Sequence, residues 1–396
     1  MATHNRLCYR STSRRVVVHW FLVLTSLSLI VILVSLFRSY ALMIKTVYQA
    51  SIIDETTIDD QESPTIKPYK FFQTNDTTYY EPNTTCPVAW EWVTDPSEAD
   101  VIIFDMASPN PKTPADLQAA RKHPEQKLVF YSLESGMHHP IVYDAKSKMG
   151  YDYVADYRIW PGHPQGQPDI PAVYLSNPTA PTFGTNFRKP VSWPKRTDAL
   201  MVAFVTNCLM KKNERNRILE EIMKLIPVHS LGACYTNVEI PGWQDFELKN
   251  NQTISITGPE RYQQKMELGS GYYFFFAAEN VNEDSYVTEK IYEALETTAI
   301  PIYLGAPNVG KFVPHPSSYI NVDDFNSTEA LVDYMKALVA DEEVYMKMHE
   351  WRKQEFSEDF QHVLRLASRS VHCRLAMKLA GQDYNEGLEQ LRFFPP

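Results

Sequence analysis

YYFFFAA (272–278), ENVNEDS (279–285), YVTEKIYEALET (286–297) and IPIYL (300–304) follow one another almost without a break. The first and last are short apolar runs of strand length, rich in aromatic and β-branched residues. The third carries its apolar residues at helical spacing, and the second is a polar loop. A strand that is apolar at every position has no wet face, so both of its faces are covered. Strand, loop, helix and strand in that order predict a parallel sheet with helices on each side.

The same alternation recurs outward from this stretch. ALMVAFV (199–205) reads as a strand, 213–226 as a helix with its stripe at Ile218, Leu219, Ile222, Leu225 and Ile226, and 228–231 as the next strand. Further toward the N-terminus, VIIF (101–104) and KLVFY (127–131) read as buried strands, with a helix between them opened by Pro114. Residues 151–157 suit another strand. Eight prolines between 161 and 194 mark 159–195 as a long irregular crossing. The expectation is an α/β protein of two Rossmann-like domains facing a cleft.

Charge is unevenly spread. Residues 1–45 hold six basic side chains and no acidic one, so against a net charge of −10 the rest carries −16. An acidic body without a basic stripe excludes a nucleic-acid partner. Within the basic head, VVVHWFLVLTSLSLIVILVSLF (16–37) is uncharged and long enough to cross a bilayer. Four arginines precede it, so the expected topology is a single-pass signal anchor with a cytoplasmic N-terminus and a lumenal body. Sequons at Asn75, Asn83, Asn251 and Asn326 agree with that side. So do Cys86, Cys208, Cys234 and Cys373, which allow two disulfides in any of three pairings. The expected division is a tail at 1–15, an anchor at 16–37, a stem at 38–67, Rossmann-like domains at 68–190 and 191–350, and a helical segment at 351–396 that packs back.

In such sheets ligands bind beyond the carboxyl ends of the strands, where helix N-termini offer free N–H groups. Two places fit. Thr206 and Asn207 follow one strand, and Arg215 stands in the first turn of the next helix, where the helix dipole disfavours a cation unless an anion lies between. Glu279, Asn280 and Tyr286 follow the strand at 272–278, and Glu289 and Lys290 open its helix. A lysine there holds a diphosphate and a carboxylate accepts sugar hydroxyls. In the first half Glu134 follows KLVFY directly, placed as a general base, with His138 one turn on to orient it or touch a phosphate. Asp59–Asp60 and Asp323–Asp324 read as turn or cap residues, and no metal motif, Walker loop, GxSxG or GxGxxG is present.

Residues 272–325, from YYFFFAAENVNEDSYVTEKIYEALE to SSYINVDDF, closely resemble the signature of eukaryotic α1,3-fucosyltransferases. VAFVTNC (202–208), LGAC (231–234), YSLES (131–135) and SRSVHCRL (368–375) extend the resemblance over about residues 100–376. It implies a GT-B fold behind the N-terminal anchor, a Golgi location, and inverting transfer of fucose from GDP-fucose to the 3-hydroxyl of N-acetylglucosamine. By resemblance Arg215 and Lys290 hold the diphosphate and Glu289 holds ribose or fucose hydroxyls. Thr206, Asn207, Glu279, Asn280 and Tyr286 complete the donor pocket, and Glu134 is the base. Manganese or magnesium is expected to be stimulatory at most, and there is no tightly bound cofactor.

Several positions depart from the family pattern. FENS is AENV here, with Ala278 and Val281 expected to loosen the pocket. The proline after Glu-Ser is Gly136. The second cysteine of the C-terminal CxxC is Ala376, so Cys373 pairs elsewhere or stays free. The cysteine spacing and HCRL resemble members acting on the N-glycan core. The alternatives are a protein acceptor, or an inactive glycan-binding module on the same fold.

Overall fold

The computed structural model describes residues 67–388 except 75–85, 107–109, 176–185, 210–212, 241–242, 244–245, 250–251 and 256–258. The expected tail, anchor and stem up to residue 66 lie outside the described residues, as do Asn75, Asn83 and Asn251. Among the described residues no helix is long and apolar enough to cross a membrane.

The described residues from 67 onward form one compact unit built on two parallel sheets. The first contains β1 (Tyr69–Gln73), β2 (Trp90–Trp92), β3 (Val101–Asp105), β4 (Lys127–Ser132), β5 (Tyr153–Asp156) and β6 (Ile170–Pro171). Helix α1 (Pro114–Ala120) joins β3 to β4, and α2 (Ile141–Asp144) lies between β4 and β5. The second sheet contains β7 (Met201–Ala203) and β8 (Val228–Ser230), with α3 (Arg215–Leu225) between them. A hairpin of β9 (Phe246–Lys249) and β10 (Gln252–Ser255) and helix α4 (Pro259–Ser270) follow. The sheet resumes with β11 (Phe274–Ala278), α5 (Glu289–Glu296), β12 (Ile300–Leu304) and β13 (Ile320–Asn321). Helices α6 (Thr328–Val339), α7 (Glu342–Lys347), α8 (Glu358–Ala367) and α9 (Val371–Leu379) follow.

The strand orders are β2-β1-β3-β4-β5-β6 and β13-β12-β11-β7-β8. Counted from its own first strand, each sheet contains the doubly wound order 2-1-3-4-5, whose order reverses between the first and third strands. In the second sheet that switch point lies between β7 and β11.

Alternating side chains explain why the central strands are apolar throughout. Phe274, Phe276 and Ala278 face a cluster with Ile218, Leu219 and Ile222 of α3 and Leu331 and Met335 of α6. Phe275 and Ala277 face the opposite cluster, with Ile291 and Leu295 of α5 and Phe360, Val363 and Leu364 of α8. Each buried phenylalanine stabilises the fold by about 1.5–3 kcal/mol. The first sheet is covered likewise. Ile102, Phe104, Leu128 and Phe130 meet Leu117 of α1, and Val101, Ile103, Val129 and Tyr131 meet Leu375, Ala376 and Met377 of α9. Helix α9 thus returns the chain to the first sheet.

Three expectations change. The proline-rich crossing is not wholly irregular: Ile170 and Pro171 add the edge strand β6, a position where the missing proline N–H costs no ladder bond. The helix expected from 286 begins at Glu289, because Ser285 has φ +66 and Val287 N–H donates to Ser285 O (3.0 Å) in a separate turn. Strands β1 and β2, which bear five aromatic residues, carry no apolar run long enough to read as strands.

The disulfides are Cys86–Cys373 and Cys208–Cys234. The first ties the segment before β2 to α9 across 287 residues, and the second joins the loops after β7 and β8 across 26. By loop-closure entropy the longer bridge contributes about 5 kcal/mol. A reductant is therefore expected to lower the denaturation midpoint of the wild-type protein strongly. In Cys86→Ala the midpoint should already be low and should fall further only by the share of Cys208–Cys234.

Candidate active site

The switch point of the second sheet gathers the expected donor residues. Glu279, the first residue past β11, is completely buried. Its Oε1 accepts from Thr288 N–H (2.8 Å) and its Oε2 from Thr288 Oγ1 (2.7 Å). Thr288 is the N-cap of α5, and its hydroxyl is committed to Glu279 and not to capping. Lys290 Nζ lies 2.9 Å from Thr288 Oγ1, 2.9 Å from Glu289 Oε1 and 3.5 Å from Glu279 Oε2. Burial pushes the Glu279 carboxyl up, and Lys290 opposes that. Burial works against the Lys290 charge, but Glu289 and Glu279 outweigh it and hold the ammonium above its ordinary value.

Arg215 opens α3 with only 2% of its surface exposed. Nη1 donates to Asn280 Oδ1 (2.5 Å) and Nη2 to Asn207 O (2.6 Å). Asn213 fastens the two loops by donating to Glu279 O (2.8 Å) and Asn282 Oδ1 (3.1 Å). Among the described residues no carboxylate pairs with Arg215, and burial pulls its guanidinium below the usual value, with Glu279 opposing. A buried cation with only neutral partners beside a helix N-terminus is suited to an anionic ligand. Thr206, three residues past β7, is half-buried and Asn207 is exposed.

Glu134 stands exposed past β4, its N–H donating to Ser132 Oγ (3.0 Å). It reaches the donor side through Tyr286, whose hydroxyl lies 3.5 Å from Glu134 Oε2. Burial pushes that hydroxyl up, Lys290 opposes, and Glu134 and Glu279 push it further, so Tyr286 stays a proton donor. His138 closes the turn after Glu134, with its N–H donating to Ser135 O (3.1 Å) and its ring beside His139 (6.4 Å).

Two residues went unread in the sequence. Tyr174, just past β6, packs edge-on to Tyr286 (6.4 Å). Burial first, and then Tyr286, Glu134, Glu289 and Glu279, push its hydroxyl well up. The prolines around it gave no sign of a site. Glu283, in the loop after β11, accepts from Tyr143 OH (2.5 Å), Met137 N–H (3.3 Å), Ser135 Oγ and Tyr157 OH, all from the first half. Nothing in a polar loop marks one acidic residue as the buried one. Val281 also differs from expectation. Its side chain is fully buried in the first sheet's cluster with Phe130 and Val154.

Residues 193–392, half of the chain, match the family described as glycosyltransferase family 10 (fucosyltransferase) C-terminal domain. The chain belongs to this fucosyltransferase family. It is 32% identical over 201 residues to an α-(1,4)-fucosyltransferase of Arabidopsis thaliana, covering 50% of this chain and 48% of that one. It is 30% identical over 151 residues to the GDP-fucose protein O-fucosyltransferase 3 of Xenopus tropicalis, covering 38% and 30%. The chain thus spans less than half the length of either relative. A solved α1,3-fucosyltransferase superposes with a TM-score of 0.51 at 17% identity, covering 84% of this chain and 95% of that one. At that identity the likeness is one of fold, and it agrees with the GT-B architecture.

The tightness around Glu279 is testable. A Cβ on Gly305 would lie 2.5 Å from Glu279 Cγ and 2.4 Å from Tyr303 OH. Gly305→Ala is expected to cost about 1–3 kcal/mol of stability, read from denaturant midpoints.

Proposed function

We propose that this fucosyltransferase-family chain moves L-fucose from GDP-β-L-fucose to the 3-hydroxyl of N-acetylglucosamine on glycoprotein glycans, with inversion. The observation that carries this reading is the pair of cations at the switch point, Arg215 and Lys290, faced across the cleft by Glu134 through Tyr286. The diphosphate lies against Arg215, Lys290 and the N-termini of α3 and α5, which neutralise the charge that grows as GDP leaves. Glu134 takes the proton of the acceptor hydroxyl as that oxygen attacks the anomeric carbon from the face opposite GDP. The new C–O bond forms while the bond to the β-phosphate oxygen breaks, so a single base is sufficient for inversion. Glu289, Asn280, Tyr286, Thr206 and Asn207 line the donor side, and His138 flanks the base. A divalent ion is stimulatory at most in this reading, because side chains already supply positive charge.

The topology belongs to the same reading: an anchor at 16–37 in the Golgi membrane with the body lumenal. A protein acceptor is the second reading, favoured by the likeness to a relative named for protein O-fucosylation. An inactive glycan-binding module is disfavoured by the retention of Glu134, Arg215, Glu289 and Lys290 together.

Purified protein given GDP-fucose and a panel of glycan and peptide acceptors tests the reading. Glu134→Gln is expected to lose about 10²–10⁴-fold in transfer while its GDP affinity is unchanged. Arg215→Gln is expected to weaken GDP binding by about 10- to 100-fold in calorimetry. A wild-type protein that neither binds GDP nor transfers fucose to any acceptor rules the proposal out.

A further inference from the structure

We infer that Glu283 is a positioning residue for Glu134, holding the loop that carries the base against the donor half of the site. The inference rests on the fucosyltransferase reading above and assigns a role to a residue that the transfer step itself does not use.

Glu283 is buried, and both carboxylate oxygens are engaged across the cleft. Oε1 accepts from Tyr143 OH (2.5 Å) and Tyr157 OH, and Oε2 accepts from Met137 N–H (3.3 Å) and Ser135 Oγ. Two of those donors, Ser135 and Met137, belong to the turn that begins at Glu134. Ser135 is its immediate neighbour and also receives Met137 N–H on its hydroxyl (3.1 Å). His163 Nε2 adds a longer contact to Oε1 at 3.9 Å. A charged or polar group placed in a water-poor site holds its partners firmly, because an unmade bond there costs far more than it does in water.

The loop that delivers Glu283 is itself fixed. At one end Glu279 is bonded to Thr288, so the segment 280–287 is closed at its base. Ser285 occupies the left-handed region, a conformation that needs outside support in a non-glycine residue. That support comes from Asn308, which accepts from Ser285 N–H (2.8 Å) and donates to Ser285 Oγ (3.3 Å). On either side of Glu283, Val281 and Tyr286 are buried among Phe130, Val154 and Tyr157 of the first half. Tyr157 packs edge-on against Tyr286 at 5.4 Å.

The departure at Gly136 fits the same device. Its N–H donates to Tyr157 OH (2.9 Å), a bond that proline lacks, and a Cβ there would come within 2.2 Å of the Tyr143 ring. Tyr143 lies over Gly136 on its way to Glu283, so the small residue after Glu-Ser and the carboxylate at 283 serve one arrangement. Arg158, ion-paired with buried Asp156 (2.5 Å), stands 5.6 Å from the Tyr143 ring centroid and backs it.

Glu283 touches neither the donor cations nor Glu134 itself. Its loss should therefore displace the base while the donor pocket stays intact, and displacements of about 1 Å at a reacting group cost on the order of 100-fold in rate. The test uses the full-length protein with GDP-fucose and the acceptor that wild type uses best. Glu283→Gln is expected to lower kcat about 10- to 100-fold with the Kd for GDP within twofold of wild type. Acceptor-independent hydrolysis of GDP-fucose, which does not need the acceptor hydroxyl aligned with Glu134, should fall less than transfer. Ser135→Ala and Tyr143→Phe each remove one donor and spare the carboxylate, and they should lower kcat several-fold with the thermal midpoint near wild type. If Glu283→Gln fails to fold, these two variants carry the test. Ser135→Ala combined with Glu283→Gln should be no worse than Glu283→Gln alone.

The assignment is overturned if kcat in Glu283→Gln or in both milder variants stays within twofold of wild type. It is equally overturned if kcat, hydrolysis, GDP affinity and thermal midpoint all fall together, the mark of a purely structural residue. A wild-type protein that transfers no fucose fails at the earlier step and removes the fucosyltransferase reading itself.

Discussion

A carboxylate buried at the end of a strand must be fully bonded or it destabilises the fold that buries it. Glu279 is that carboxylate, and the rest of the site follows from how it is satisfied. Its two oxygens take the amide and hydroxyl of Thr288, which fixes where α5 begins, and Lys290 is drawn alongside. With residues 279 and 288 joined, the segment between them runs outward from the second sheet toward the first. There it buries Val281 and Tyr286 and delivers Glu283 to the turn after Glu134. One buried acid thus sets the place of Lys290, the start of the helix and the contact between the two halves of the site.

Arg215 answers the same constraint from β7. It is held by neutral oxygens of Asn207 and Asn280 and is not neutralised by an acid. Its burial is costly unless an anion completes it, which is why the position suits a diphosphate better than a structural ion pair. The bridge between Cys208 and Cys234 ties down the loop that supplies Asn207, so this carbonyl is fixed before any ligand arrives. Arg215 is thus a positive group without an acidic partner inside a chain whose overall balance is acidic.

Much of this was legible in the residues. Strands covered on both faces are apolar throughout, so VIIF, KLVFY, FFFAA and IPIYL announced themselves, and strand–helix alternation located Arg215, Glu289 and Lys290 at helix starts. The signature at 272–325 named the chemistry. What stayed hidden depends on contacts between distant residues. Four cysteines do not declare their pairing, and only the fold brings Cys86 to Cys373. Glu283 and Asp284 look alike in a polar loop, yet one is buried under two tyrosines from 140 and 126 residues earlier. Val281 read as a loosening change because the sequence does not say that the first sheet covers it. Short edge strands such as β6 leave no periodicity to detect.

Attack on the donor from the side opposite GDP, by a hydroxyl that Glu134 deprotonates, is the claim on which the site's arrangement turns. The most direct measurement is the proton NMR spectrum of the purified product made from GDP-β-L-fucose and an N-acetylglucosamine-terminated glycan. An α-linked fucose on O3 is the expected result. A β-linked fucose would mean retention, which a single base facing the donor does not produce, and would contradict the geometry assigned to Glu134, Arg215 and Lys290.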